Sequence, residues 1–229
     1  MLATANVSAT IIMHSDGQFS EADWNSFLAY DNDPPKGSFT SGQAGTTDTF
    51  WDVHHEYGPR KNLTTSHSMG VAHMDSVFTW NPNLDGLLNS IDFSIRANVT
   101  NGGSSGAITF RPAIVQDGIN FFGPFTTIFD HDPEQTVEYF DLLATDYVEF
   151  TSDSTTISGS HPDFSGTGTT LQFGFLSGNG SSLTQSSFSD SEFDDYSIAL
   201  NATAVPEPST YGLFTGLFCI ALALSRRRK

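Results

Sequence analysis

Polar and apolar residues alternate with a period of two wherever this chain is regular. Val7, Ala9, Ile11 and Met13 fall on one face of a first strand, with Ser8 and Thr10 on the other. Ile91, Phe93, Ile95 and Ala97 repeat the pattern around Asp92, Ser94 and Arg96. The Gly/Ser-rich stretch from Asn101 to Gly106 turns the chain into a strand over 107–116, and Asp117-Gly118 is a two-residue hairpin signal leading into 119–122. Further strands are expected over 136–140, 171–176 and 196–201. Helix signals are weak: Ser20-Glu21-Ala22-Asp23 opens one short turn holding Trp24, Phe27 and Leu28, and 142–146 forms another. Short alternating strands and twenty phenylalanines predict an all-β, antiparallel β-sandwich with aromatic facing layers.

The last twenty-five residues, VPEPSTYGLFTGLFCIALALSRRRK, break that pattern. Pro206 and Pro208 stop upstream structure from running on, since proline lacks a donor and restricts its predecessor. Ser209 is placed to cap a helix over the apolar run, and residues 209–225 as a helix rise roughly 25 Å. That is short for a hydrocarbon core of about 30 Å, but the basic cluster that follows anchors the end in the cytoplasm and its arginines snorkel. The expectation is a single C-terminal transmembrane helix.

Pro206-Glu207-Pro208, an apolar span, and Arg226-Arg227-Arg228 at the end resemble, in that order, the PEP-CTERM sorting signal of Gram-negative bacteria. The resemblance covers Val205 to Lys229. It implies export with the body outside the cytoplasm, an inner-membrane intermediate, and processing by a membrane-embedded exosortase on the way to the cell surface or extracellular matrix. Proteins of that kind are associated with extracellular polysaccharide and biofilm. An exported chain calls for a leader, and Ala3-Thr4-Ala5 has the form of a signal-peptidase site, so residues 1–5 are read as the remnant of a longer signal peptide. Residues 6–204 are then the ectodomain and 205–229 the sorting signal.

Charge narrows the partners. The chain has 26 acidic and 9 basic residues; one acid and four bases lie in the tail, leaving five basic against 25 acidic and a body of net charge −20. Nucleic acid is excluded as a partner, because phosphate binding draws on clustered Lys and Arg. Cations and neutral glycans fit better. The only cysteine, Cys219, lies in the tail, so disulfides do not hold the body.

The order of RPAIVQDGINFF (111–122), HPDFSG (161–166), LQFGFLSGNG (171–180) and FDDYSIAL (193–200) resembles the jelly-roll ectodomain of many PEP-CTERM proteins, itself similar to concanavalin-like lectins and carbohydrate-binding modules. That resemblance implies a jelly roll binding exopolysaccharide. It also implies that the Asp-Asp pair of the terminal strand, Asp194 and Asp195, supplies a ligand to a structural calcium. By alternation Asp194 shares the inward face with Tyr196, Ile198 and Leu200, and a buried carboxylate needs a cation or several donors. Asp16 and Glu21 are candidates to complete an oxygen site; the alternative is an aspartate bonded to backbone amides. Asp31-Asn32-Asp33, followed by two prolines, reads as a surface turn.

FWDVHHEYG (50–58) carries His54, His55 and Glu56 side by side. In a strand these alternate sides and do not converge as a helical HExxH does; with His67 and His73 nearby in sequence, a zinc site is one reading and an aromatic, His-bearing strand with one face in the core is the other. Trp51, Tyr57 and Trp80 are candidate platforms for sugar rings, with core packing as the alternative. The chain has no nucleophile elbow, phosphate loop or CxxC, and its carboxylates have no legible pairing, so no catalytic residue is assigned. A carbohydrate-binding module is the reading carried forward, against a structural matrix protein without a discrete ligand and, further back, an enzyme acting on exopolysaccharide.

Overall fold

The computed structural model describes residues 9–33, 37–46, 49–59, 65–103, 106–152, 156–157, 159–181 and 184–204. Residues 1–5, read above as a leader remnant, and the whole tail, with Pro206, Glu207, Pro208, Arg226, Arg227 and Arg228, lie outside these residues. Among the described residues no helix is long and apolar enough to cross a membrane.

In chain order the strands are β1 (Ala9–Asp16), β2 (Trp24–Asp31), β3 (Ser38–Ala44), β4 (Phe50–Tyr57), β5 (His67–Trp80), β6 (Gly86–Asn101), β7 (Ala107–Gln116), β8 (Ile119–Phe122), β9 (Thr126–Phe129), β10 (Gln135–Leu142), β11 (Val148–Phe150), β12 (Thr156–Ile157), β13 (Leu171–Ser181) and β14 (Ser187–Ala204). Among the described residues a short helix, α1 (Pro82–Asp85), is capped by the Asn81 side chain, and a 3-10 turn spans Ala144–Asp146. Two antiparallel sheets face each other. The first runs β10-β6-β14-β4-β3, with β1 also on β14; the second runs β12-β11-β8-β7-β13-β5-β2, with β9 also on β7. The all-β antiparallel sandwich read from alternation is therefore what the chain forms.

Between the sheets lies one continuous aromatic and aliphatic core. Ile91, Phe93, Ile95 and Ala97 all point into it from β6, as their spacing predicts, and Phe193 meets Phe110 and Phe175 at ring-centroid distances of 5.0 and 4.6 Å. The Asp117-Gly118 hairpin forms as read: both residues take positive φ, 53° and 77°, and Gln116 pairs with Ile119.

Two expectations at the amino-terminal end are corrected. Ile11 and Met13 face solvent, 68 % and 76 % exposed, while Ile12 packs on the core. Pairing fixes the parity: Ile12 lies opposite Leu200 and His14 opposite Ile198, both inward positions of β14, so the odd residues of β1 point out. The turn at 20–23 forms, but Trp24 opens strand β2, not a helix, because Trp24, Asn25 and Ser26 pair with Asp75, Met74 and His73 of β5.

The outer face of the second sheet carries a smaller apolar layer. Gly70 and Gly178 sit side by side in the β5–β13 register, and the Tyr30 ring occupies the space their side chains would fill: a Cβ on Gly70 would lie 2.4 Å from Tyr30. Phe150 and Phe122 continue that layer at 5.8 and 5.2 Å.

Candidate functional site

A cleft of about 470 Å³ opens where edge strand β2 of one sheet parts from edge strand β3 of the other. It is lined by Glu21, Trp24, Ser26, Phe39, Thr40, Ser41 and Trp51. Its origin is legible in the side chains. Ser26 pairs with His73, and Ser41 with Val53, residues that point into the core, so these serines occupy inward positions where the sandwich elsewhere has bulky apolar groups. Two small hydroxyls leave the sheets unsealed at this rim.

The floor is aromatic. Trp24 and Trp51 lie 6.3 Å apart, and Phe19 and Tyr196 brace Trp24 at 4.8 and 4.9 Å. Half-buried Phe39 forms a wall, and the exposed Glu21 carboxylate closes one end over Gly42, where a Cβ would approach its Oε1 to 3.0 Å. The neighbouring turn is tied in place: Gln43 and Thr49 both donate to the Gln18 carbonyl, at 2.7 and 3.0 Å.

Beneath the floor runs a buried hydrogen-bonded chain. The Trp51 indole N–H donates to His73 Nδ1 at 3.1 Å, which makes that nitrogen an acceptor, and the Ser26 hydroxyl reaches the same atom at 2.7 Å. His73 Nε2–H then donates to Ser177 Oγ at 3.1 Å, whose hydroxyl is free to donate to His55 Nε2 at 3.2 Å. Burial pushes the His73 pKa well below its ordinary value and that of His55 down to about 3, with the His54 charge adding to the latter. A histidine so reluctant to take a proton, with its accepting nitrogen already bonded to an indole, is a poor general base for Ser26. The chain orients Trp51 and holds the cleft floor rigid.

Trp51, Tyr57 and Trp80 are not open platforms: they are 3 %, 2 % and 8 % exposed. Each lies at an inward-facing position of its strand, so packing wins. Trp51 lines the cleft while almost wholly buried, Tyr57 shares a hydrogen bond with Ser189 at 2.8 Å, and Trp80 donates to the Gly86 carbonyl at 2.9 Å.

The four carboxylates proposed for calcium do not converge, and among the described residues no three His, Cys, Asp or Glu side chains are grouped to hold a metal. A bulge between Asp194 and Ser197, with Asp195 at φ 49°, reverses the parity of β14. Phe193 and Tyr196 both point inward, while Asp194 lies on the outer face opposite Arg96. Its buried charge is answered by the Arg96 guanidinium, which also reaches Glu134 at 3.1 Å and Asp195 at 3.0 Å. Asp16 is a turn cap that accepts from Gln18 N, Phe19 N and the Trp24 indole at 2.8, 2.9 and 2.7 Å, and Glu21 belongs to the cleft.

The histidines separate as strand alternation requires. His54 sits on the outer face beside Asp190 at 2.5 Å, whereas His55 is buried. His67 pairs with Asp31 at 2.8 Å in the interior, and Asp31 also accepts from the amides of Asp33 and Gly37; it is thus a buried residue at the end of β2 and not part of the surface turn read there. Sequence reasoning missed Ser26, Phe39 and Ser41. Their signal was small or isolated residues at inward positions of two edge strands, and it becomes visible only once the register is known.

No protein-family profile matches the chain, and no curated protein does. Among solved structures, it is similar to a family 11 carbohydrate-binding module from Clostridium thermocellum in complex with a β-1,3-1,4-mixed-linked tetrasaccharide, with a TM-score of 0.44, 13 % identity, and coverage of 88 % of this chain and all of that one. It is also similar to a mannan-recognising module, TmCBM27 (TM-score 0.38, 11 % identity, 85 % and 100 % covered), and to the xylan-binding module CBM15 (0.38, 9 %, 86 % and 100 %). At that level of similarity none of them bears on what this chain binds.

Proposed function

We propose that this chain is an exported carbohydrate-binding protein, and that the cleft between β2 and β3 takes a neutral sugar. The observation that carries the reading is the lining itself: an aromatic floor and wall from Trp24, Trp51 and Phe39, rimmed by three hydroxyls and one carboxylate. A sugar ring presents an apolar face and a girdle of hydroxyls, and such a lining complements both. Phe39 stacks on the ring; Glu21 accepts from sugar hydroxyls, and Ser26, Thr40 and Ser41 exchange hydrogen bonds with them. The strand scaffold and the indole-to-imidazole bond beneath hold this geometry before any ligand arrives, which lowers the ordering cost of binding.

The tail belongs to the same reading. Pro206-Glu207-Pro208, the apolar run and Arg226-Arg227-Arg228 address the protein to an exosortase at the membrane, from which the sandwich reaches the exopolysaccharide outside. Replacing the three arginines by glutamine should leave the protein unprocessed in membrane fractions.

Calorimetric titration of the full chain with β-glucan, mannan and xylan tetrasaccharides tests the cleft. Saturable binding to at least one, weakened by Glu21→Gln, supports the reading. A folded chain that binds none of them, nor the host's own exopolysaccharide, is a matrix component without a discrete ligand.

A further inference from the structure

Arg96 and Arg111 are the two arginines among the described residues of the body, and their surroundings differ in kind. Three carboxylates surround Arg96. Arg111, by contrast, has no carboxylate within ion-pairing distance among the described residues, in a body that is otherwise strongly acidic. Its guanidinium donates to the Gly123 carbonyl at 3.3 Å and lies between two rings, Phe125 at 5.0 Å and Phe150 at 4.9 Å from ring centroid to Cζ.

The chain builds this setting with care. Gly123 N–H bonds the Pro112 carbonyl at 2.9 Å, and a Cβ at Gly123 would press to 2.8 Å from the Pro112 ring, so the connection between β8 and β9 lies flat against β7. Phe110 pairs with Thr126, so Phe125 comes next, alongside Arg111. Along β9 the residues then alternate: Ile128 is fully buried, while Thr127 and Phe129 stand outward with Phe125. Thr109 of β7 lies opposite Thr127, with the two hydroxyl oxygens 3.4 Å apart. Phe125 and Phe129 are 61 % and 44 % exposed and, four residues apart, roughly 13 Å apart along the strand. The outward strip therefore reads as ring, hydroxyls, ring, with a guanidinium beside the first ring.

We propose that Arg111, Phe125 and Phe129, with Thr109 and Thr127 between them, form a second site, one for a saccharide that carries carboxylates, as a uronic-acid chain does. The guanidinium supplies the fork that a carboxylate accepts from, the exposed rings supply faces for sugar rings, and the threonines meet ring hydroxyls. The remaining charge of the body opposes such a ligand at long range, but that repulsion is screened beyond about 8 Å at physiological salt. The Arg111 contact is shorter than that and partly shielded from water. This site stands on the opposite side of the second sheet from the cleft lining and does not depend on it.

The test is calorimetric titration of the full chain with tetragalacturonate at about 0.15 M salt, and with the same oligomer after its carboxyl groups are reduced to alcohols. Saturable binding of the acidic oligomer, weakened roughly ten-fold or more by reduction, is expected. Arg111→Gln should abolish the preference between the two oligomers. Phe125→Ala, a change at an exposed side chain that leaves the thermal midpoint nearly unchanged, should weaken binding of the acidic one. Phe39→Ala in the cleft should leave this binding untouched, so the two sites fail or stand separately. Equal binding of both oligomers, no binding of the acidic one by the folded chain, or a preference that survives Arg111→Gln would overturn the proposal.

Discussion

The two rims of the sandwich end differently. At one, β9 of the second sheet approaches β10 of the first, and the Thr126 and Tyr139 hydroxyls bond at 2.6 Å across the gap. At the other, β2 and β3 part, and serines stand where side chains would have to meet. Both rims are built from the same alternating strands, so the distinction lies in side-chain volume and polarity at a few inward positions. A sandwich closes where its edge residues reach each other and opens where they are cut short. The open rim is also the one with a buried polar chain beneath it, running from Ser26 through His73 and Ser177 to His55.

That chain gives the largest test of the contrast. Both histidines are neutral in the folded protein, with pKa values below the ordinary one, about 3 for His55. The unfolded chain therefore binds more protons, and the stability these histidines contribute is complete above about pH 6.5 and is lost as pH falls toward 3. Urea melts at pH 7 and pH 4.5 should differ by about 3 kcal/mol from His55 alone, and His55→Gln should flatten that dependence. An unchanged slope would mean that the polar chain does not stay neutral beneath the open rim.

The next effect belongs to the ligand. Phe39→Ala removes the wall of the cleft from a half-buried position, and neutral-sugar binding should weaken about ten-fold, a loss of about 1.4 kcal/mol, measured by calorimetry. Ser41→Leu asks whether the rim can be sealed. It should raise stability by about 1 kcal/mol in urea melts through added apolar burial while eliminating sugar binding. A variant that binds as before would place the sugar elsewhere. Smallest is Tyr139→Phe at the closed rim, which should cost about 1 kcal/mol of stability and leave binding unchanged.

Much of the sandwich was legible because period-two alternation is a direct image of a strand with one face in the core. The 91–97 stretch, the Asp117-Gly118 hairpin and the strands at 171 and 196 follow from it. Parity was not legible wherever pairing or a bulge sets it. Ile11 and Met13 look like core residues in isolation, but β14 decides which side of β1 faces in. Asp194 looks inward until the bulge at Asp195 turns it toward Arg96, and the cation expected there is supplied by the protein itself. The cleft was hidden for a similar reason: Ser26 and Ser41 read as ordinary polar positions until β5 and β4 fix them facing in. Bulky Trp51, Tyr57 and Trp80 drew the eye instead, and burial removed them from the surface.

The chain's three tryptophans, Trp24, Trp51 and Trp80, provide the most direct measurement of the central claim, because each indole N–H has a known place. Trp24 bonds Asp16 and Trp51 bonds His73 at the cleft floor, whereas Trp80 bonds Gly86 away from the cleft lining. Nitrogen-proton correlation spectra recorded during titration with a neutral tetrasaccharide that binds should move the Trp24 and Trp51 indole peaks in a saturable way while the Trp80 peak stays still. Saturable binding that leaves all three in place, or moves Trp80 alone, would contradict the account.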